Sequence, residues 1–298
     1  MTRVIHDPHP VLVIGDANVD LVLRGDVVPR FGQAEQLLSE AELVLGGSAA
    51  IVACGLAKLG VPTTLAAVVG DDDFGRFTLD ALTAAGVDTR AVRVDGSLST
   101  GISVILSGDD DRAILTLPGT IPALRDDDVP RDGFGWVHVA SPFLMPEFTA
   151  SSAARLAGFR ASRTGTSLDT NWDPSGRWDV AGLLEHVDVL LPNRSELEAL
   201  GRVSDLTALR VVAKDGAAGG WSQVGNAARV TAPGLPVEVV DTTGAGDSFD
   251  AGYLAAIAHG IDDEAMRVRW AAVAGSLSTR ASGGTGAQAD LDELRAAV

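Results

Sequence analysis

Asp241-Thr242-Thr243-Gly244-Ala245-Gly246-Asp247-Ser248-Phe249-Asp250 is a turn of small residues, rich in hydroxyls and glycines, that runs straight into an apolar segment ending near Ile257. Phe249, Tyr253 and Ile257 recur at i, i+4 and i+8, which predicts a helix with one apolar face. A glycine turn at a helix start aims several backbone N–H groups at one point, and with the helix dipole they form an anion site. Asp247 admits two readings. As an acid in the first turn it stabilises the dipole. As a general base it takes the proton of an attacking hydroxyl, while the N–H groups of Gly244, Ala245 and Gly246 hold the charge that builds on a transferring phosphoryl group.

Working outward, the chain of 298 residues is long enough for one large α/β domain, residues 1–298. The single cysteine, Cys54, excludes an internal disulfide, so a cytoplasmic protein is expected. The first ten residues lack the apolar core of a secretory signal, and no apolar run is long enough to span a bilayer. A formal charge of −17 argues against nucleic acid and anionic membrane as partners. The basic residues are nearly all arginine, with Lys58 and Lys214 the only lysines. No G-x-x-x-x-G-K-[ST] is present, no G-x-G-x-x-G follows the first strand, and no His/Cys cluster suggests zinc.

Val11-Leu12-Val13-Ile14-Gly15 predicts a buried first strand, after which Asp16, Asn18 and Asp20 alternate. They read either as a polar strand end or as a row of groups for binding sugar hydroxyls. Gly46-Gly47 opens an apolar helix that ends at Gly60, and Asp71 to Asp73 read as helix caps. Strand–helix alternation recurs from Trp136. Asp169 ends the predicted strand Thr166-Ser167-Leu168-Asp169 and Asn171 follows it, at the strand end where open α/β sheets bind ligands. Asn193 and Glu196 fit a capping box. Lys214-Asp215-Gly216-Ala217-Ala218-Gly219 is a turn after another strand. Asp262 is expected to cap the helix that carries Met266, Trp270, Val273 and Leu277, read as core packing.

The decapeptide closely resembles the signature D-T-x-G-A-G-D-x-F of the ribokinase-like, PfkB-type carbohydrate kinases, and the resemblance runs from Val11 to about Gly286. It implies a mostly parallel central sheet covered by helices on both faces, with a small β lid built from segments near 20–45 and 98–118. It implies an ATP-dependent kinase for a sugar or sugar-like hydroxyl, with Asp247 as base. Substrate would be bound by Asp16, Asn18, Asp20, Gly46, Gly47, the position of Ile51, Asp169 and Asn171. Nucleotide would meet Asn193, Glu196, Lys214, Gly216, Gly219 and Ser276. Glu196 would hold Mg²⁺ through water, and K⁺ would sit near Asp241 and Thr243. Dimerisation through the lid is common in the family.

One departure bears on substrate. The family usually has Asn where this chain has Ile51, and Asn there binds a sugar hydroxyl; a site lacking that partner should choose differently, away from ribose. Two alternatives follow: a nucleoside kinase on the same scaffold, or a non-catalytic sugar or nucleotide sensor. The intact Asp247 speaks against the sensor.

Overall fold

The computed structural model describes residues 7–33, 35–108, 112–201 and 209–298. Within the segment near 98–118, the sequence Gly108-Asp109-Asp110-Asp111 signals a hairpin turn, but its residues 109–111, like the first six residues of the chain, lie outside this set.

The chain begins with β1 (Val11–Ile14), whose four side chains are all buried. A continuous apolar run suits a parallel strand covered on both faces. β1 sits inside a nine-stranded sheet, between β4 (Thr63–Gly70) and β8 (Trp136–Ala140), and is parallel to both. Outward from β4 lies β5 (Val92–Asp95). Outward from β8 lie β9 (Gly165–Asp169), β10 (Val189–Leu190) and β11 (Arg210–Lys214), all parallel. β12 (Gly220–Val224) and β13 (Val230–Ala232) close that edge as antiparallel hairpin strands.

Alternate residues of the central strands enter different cores. Val11 and Val13 pack with α1 (Ser48–Lys58), α6 (Ala245–Ala258) and α7 (Glu264–Ser278). Leu12 and Ile14 pack on the opposite face with α3 (Pro146–Ala161), through Phe148, Leu156 and Phe159. Both sheet faces are therefore covered by helices. α2 (Asp73–Ala84) and α8 (Leu291–Ala297) join the first layer, while α4 (Ala181–Leu184) joins the second and α5 (Arg194–Leu200) packs on β11. Asp72 caps α2 by accepting from Gly75 N at 2.8 Å.

Three expectations are corrected. α6 is buried around most of its circumference rather than along one face, because it is the middle helix of its layer. Glycines make the fit: a Cβ on Gly252 would lie 2.7 Å from Ala274 Cβ on α7, and one on Gly55 would lie 2.7 Å from Ala251 Cβ on α6. The cap of α7 is Asp263, which accepts from Ala265 N, and not Asp262. Of the residues expected in the core there, Trp270, Val273 and Leu277 are buried, while Met266 is exposed.

Segments 20–45 and 98–118 contribute a second, four-stranded sheet in the order β3 (Leu38–Gly46), β2 (Asn18–Gly25), β6 (Gly101–Ser107), β7 (Arg112–Leu117). β2 follows β1 after three residues, so the lid rises from the C-terminal end of the central strand. No helix among the described residues is long and apolar enough to cross a membrane.

Candidate active site

Gly244 begins α6 in the left-handed conformation, φ 69°, which glycine adopts at no steric cost. A Cβ at this position would also lie 2.6 Å from Gly284 Cα. The turn stands between two cavities. Thr242, Ala245 and Gly246 line the larger, about 500 Å³, with walls from Val237, Phe249 and Thr279. Thr243, Gly244 and Asp247 line the smaller, about 180 Å³, under the lid. One helix start thus serves both cavities, with its N–H groups between them.

The smaller cavity gathers Asp16, Asn18, Asp20, Gly47 and Ile51 from the sequence-predicted set. Asp16 has a double task. Its two carboxylate oxygens accept from Ser48 N and Ala49 N, each at 3.1 Å, and so cap α1. Burial raises its pKa. Asp20 accepts from Asn18 Nδ2 at 2.9 Å, and burial pushes its pKa up to about 6. Gly46 lies behind this pair, where a Cβ would come within 2.2 Å of Asp20 Oδ1. Gly47 turns the chain at φ 92°. The lid adds Ser103, Ile105, Arg112 and Ile114.

Asp247 is half-buried on the wall of the smaller cavity. Burial pushes its pKa up to about 7, against the opposing effects of a hydrogen bond from Ser48 Oγ and the charge of Lys214. A carboxylate near neutrality is matched to accepting a proton at physiological pH.

Asp169 and Asn171 do not line the smaller cavity. They lie at the end of β9, where Asp169 closes on Lys214 at 2.5 Å. Asn171, at φ 50°, accepts from Ser141 N and Ser141 Oγ, and donates to Asp169 at 3.3 Å. Lys214 also reaches Asp250 on α6 at 2.9 Å. Both carboxyls are fully buried. Burial disfavours charge on Lys214, but the carboxylates of Asp169, Asp250 and Glu196 overcome this and hold it protonated. Burial and the neighbouring Asp169 carboxylate raise the pKa of Asp250, whereas Lys214 holds that of Asp169 below the usual carboxylate range. The ammonium lies beside the anion turn: a Cβ on Gly246 would be 3.7 Å from Lys214 Nζ. Lys214, Gly216 and Gly219 all line the larger cavity.

Asn193 and Glu196 form a closed capping box at α5. Asn193 N and Nδ2 donate to the two carboxylate oxygens at 2.8 and 2.5 Å, and Glu196 N donates back at 3.0 Å. Burial pushes Glu196 up to about 7, helped by the charges of Asp169 and Asp247. Asn193 lies beside Lys214 through an isolated parallel bridge, so the box borders the charged cluster. Ser276 lines the larger cavity, but its hydroxyl accepts from Leu235 N and donates to Ala272 O. It braces the cavity wall. Asp241 precedes the turn and accepts from Thr243 N and Thr243 Oγ1 at 2.9 and 2.7 Å.

Sequence reasoning missed several of these residues. The local sequence marks no site role for Ser48, Asp250 or Arg112, which bond to Asp247, Lys214 and Thr243 in the fold. Two signals were available. Asp250 interrupts an otherwise apolar helix, and Lys214 is one of two lysines in an arginine-based chain. Among the described residues, no group of three or more His, Cys, Asp or Glu is arranged to hold a metal alone.

Comparison with known proteins gives a consistent result. The profile of the pfkB family of carbohydrate kinases matches residues 9–290. An ATP-dependent ribose-1-phosphate kinase of Halopiger xanaduensis is 34% identical over 258 residues, covering 82% of this chain and 83% of the relative. A fructokinase of Klebsiella pneumoniae is 31% identical, covering 96% of this chain and 98% of its own. Among solved structures, a Vibrio cholerae fructokinase with fructose, ADP and calcium bound superposes with a TM-score of 0.83 at 27% identity, covering 98% and 99% of the two chains.

Proposed function

The chain belongs to the pfkB family of carbohydrate kinases, and from that premise we propose that it transfers the γ-phosphoryl group of ATP to a hydroxyl of a sugar or sugar-like compound bound under the lid. The observation that carries this is the position of the α6 start between the two cavities, with Asp247 toward the smaller and Gly246 toward the larger. The larger, mostly apolar-walled cavity suits the nucleotide, and the smaller, hydroxyl-binding one suits the acceptor.

Asp16, Asn18 and Asp20 orient the acceptor. Asp247 takes the hydroxyl proton as its oxygen bonds to the γ-phosphorus; the bond to the bridging oxygen breaks, and ADP leaves with that electron pair. The N–H groups of Gly244 and Gly246 would face the equatorial oxygens, where charge accumulates, whereas that of Ala245, expected to join them, donates to Thr242 O at 3.2 Å and closes the turn. Lys214 adds a fixed positive charge beside them. The residues present also fit Mg²⁺: each oxygen of Glu196 accepts one hydrogen bond, which leaves a lone pair on each for a metal-bound water. Bound there with the nucleotide, Mg²⁺ would neutralise phosphate charge. The Vibrio cholerae fructokinase, which binds ADP together with calcium, a divalent ion, supports this assignment.

A second reading, nucleoside phosphorylation, is favoured by the apolar wall that Ile51, Ile105 and Ile114 give the smaller cavity. An ATP-consumption screen with Mg²⁺ across sugars, sugar acids, phosphosugars and nucleosides separates the two. One strong hit that Asp247→Asn abolishes supports the kinase and names its substrate class. ATP binding without turnover of any acceptor would favour a sensor.

A homodimer through the lid is also proposed. The lid face turned away from the cavity carries Leu43, Leu21, Val104 and Leu115 in one row across all four strands. Leu115 is 61% exposed and Leu43 37%. A continuous apolar row of this kind favours a second copy of the same sheet.

A further inference from the structure

The family resemblance leads one to expect a monovalent cation beside Asp241 and Thr243. The carboxylate of Asp241 does not fit one. A carboxylate oxygen offers two lone pairs. Oδ1 of Asp241 spends both on Thr243, accepting from its N at 2.9 Å and its Oγ1 at 2.7 Å. Oδ2 spends both on Gly283 N at 3.0 Å and Arg24 Nη2 at 3.3 Å. A cation could take either oxygen only by displacing a donor.

The charge is met as well. Arg24 lies near the end of β2, in the lid, and is three-quarters covered there. Besides Asp241, its Nη2 donates to Ser282 Oγ at 3.1 Å. The guanidinium therefore joins both segments that frame the anion turn: Asp241 just before it, and the Ser282-Gly283 turn packed against it. Burial would raise the pKa of Asp241, but the N–H groups of Gly283 and Thr243, the Thr243 hydroxyl and Arg24 together hold it below the usual carboxylate range. The acid that sets the turn is thus ionised and already neutralised by this chain's own cation. A second lid guanidinium, Arg112, reaches Thr243 Oγ1 at 3.1 Å from the other side.

We propose that Arg24 is a positioning residue that supplies, from the lid, the positive charge a monovalent cation would supply at Asp241, so that the anion turn is ordered without K⁺. The inference rests on the kinase reading. It predicts that the turn binds phosphate equally well in any monovalent salt, and that its order depends on the lid strand instead.

The test compares MgATP binding by calorimetry, and ATP turnover, in K⁺ and in tetramethylammonium chloride at equal ionic strength. Wild type should be the same in both within about twofold, whereas Arg24→Gln in tetramethylammonium should lose about tenfold or more, the effect of removing a hydrogen-bonded charge. Arg24→Gln should regain part of that loss from K⁺ or from guanidinium at a sub-denaturing concentration. Wild-type MgATP affinity that rises about tenfold with K⁺ would overturn the Arg24 assignment alone, whether or not the variant folds. Arg24→Gln matching wild type in tetramethylammonium would overturn it too. Absence of MgATP binding in both salts would overturn the kinase reading and this inference with it.

Discussion

The hydroxyl of Ser48, at the start of α1, donates to the carboxylate of Asp247, at the start of α6, so two helix N-termini meet at the smaller cavity. The bond favours the ionised acid, against burial, which disfavours it. Ser48→Ala should therefore raise the Asp247 pKa above its value of about 7. The expected outcome is an acid limb of kcat/KM displaced to higher pH, with a smaller loss at alkaline pH than removal of the acid itself. A pH–rate profile of the variant checks it.

The wild-type profile has a definite sign. Asp247 must be deprotonated to accept a proton, so kcat/KM should fall as pH drops through about 7. Glu196, pushed to a similar range by burial, should steepen that limb, because protonation weakens its hold on a metal-bound water. A profile flat from pH 8 to pH 5.5 would contradict the assignment.

The same acids should make the unliganded enzyme less stable at alkaline pH. Burial raises the folded pKa of Asp20, Asp247 and Glu196 to about 6, 7 and 7. A group raised on folding stabilises fully below its unfolded pKa, and that contribution is lost as pH rises through the folded value. Tm should therefore decline from pH 5.5 to pH 8. Asp247→Asn, which removes the group that must lose its buried proton, should raise Tm at pH 8 by a few degrees and by about half as much at pH 5.5, which is still above the unfolded pKa. Thermal melts at the two pH values give the comparison.

Lys214 is the charge on which the cluster depends. Lys214→Met leaves Asp169 and Asp250 enclosed without their cation, and breaking a buried pair in this way costs about 3–5 kcal/mol. The variant should be destabilised on that scale in denaturant titrations. The double variant Lys214→Met with Asp169→Asn should recover much of the stability but not the turnover, because the charge beside the anion turn is still missing.

Much of this arrangement could be read along the chain, and some of it could not. The decapeptide at Asp241 announces its turn and helix because glycine conformation and capping are local physics. The apolar run Val11–Ile14 announces a buried strand, and Asp16, Asn18 and Asp20 do converge on one cavity. What could not be read are bonds between distant segments. Ser48 and Asp247 are 199 residues apart, and Arg24 and Asp241 are 217 apart. Asp169 ends a strand and so was expected at the substrate, but only the folded chain brings Lys214 within reach to claim it. The single apolar face read on α6 failed for a related reason: periodicity reports one buried stripe, and only packing between α1 and α7 buries the rest.

Lid pairing makes an independent prediction. Replacing Leu115 with Asp should place a charge in the outer apolar row and dissociate the dimer without entering the cavity. Light scattering on both proteins at equal concentration would detect it; a wild type that is monomeric throughout would remove the lid interface.

The role of Asp247 as base is decided by single-turnover phosphoryl transfer with Asp247→Asn on the acceptor identified by the screen. The substitution keeps size and shape while abolishing proton acceptance. The rate should fall by about 10²–10⁴-fold, with MgATP affinity retained. Transfer at close to the wild-type rate would contradict that role.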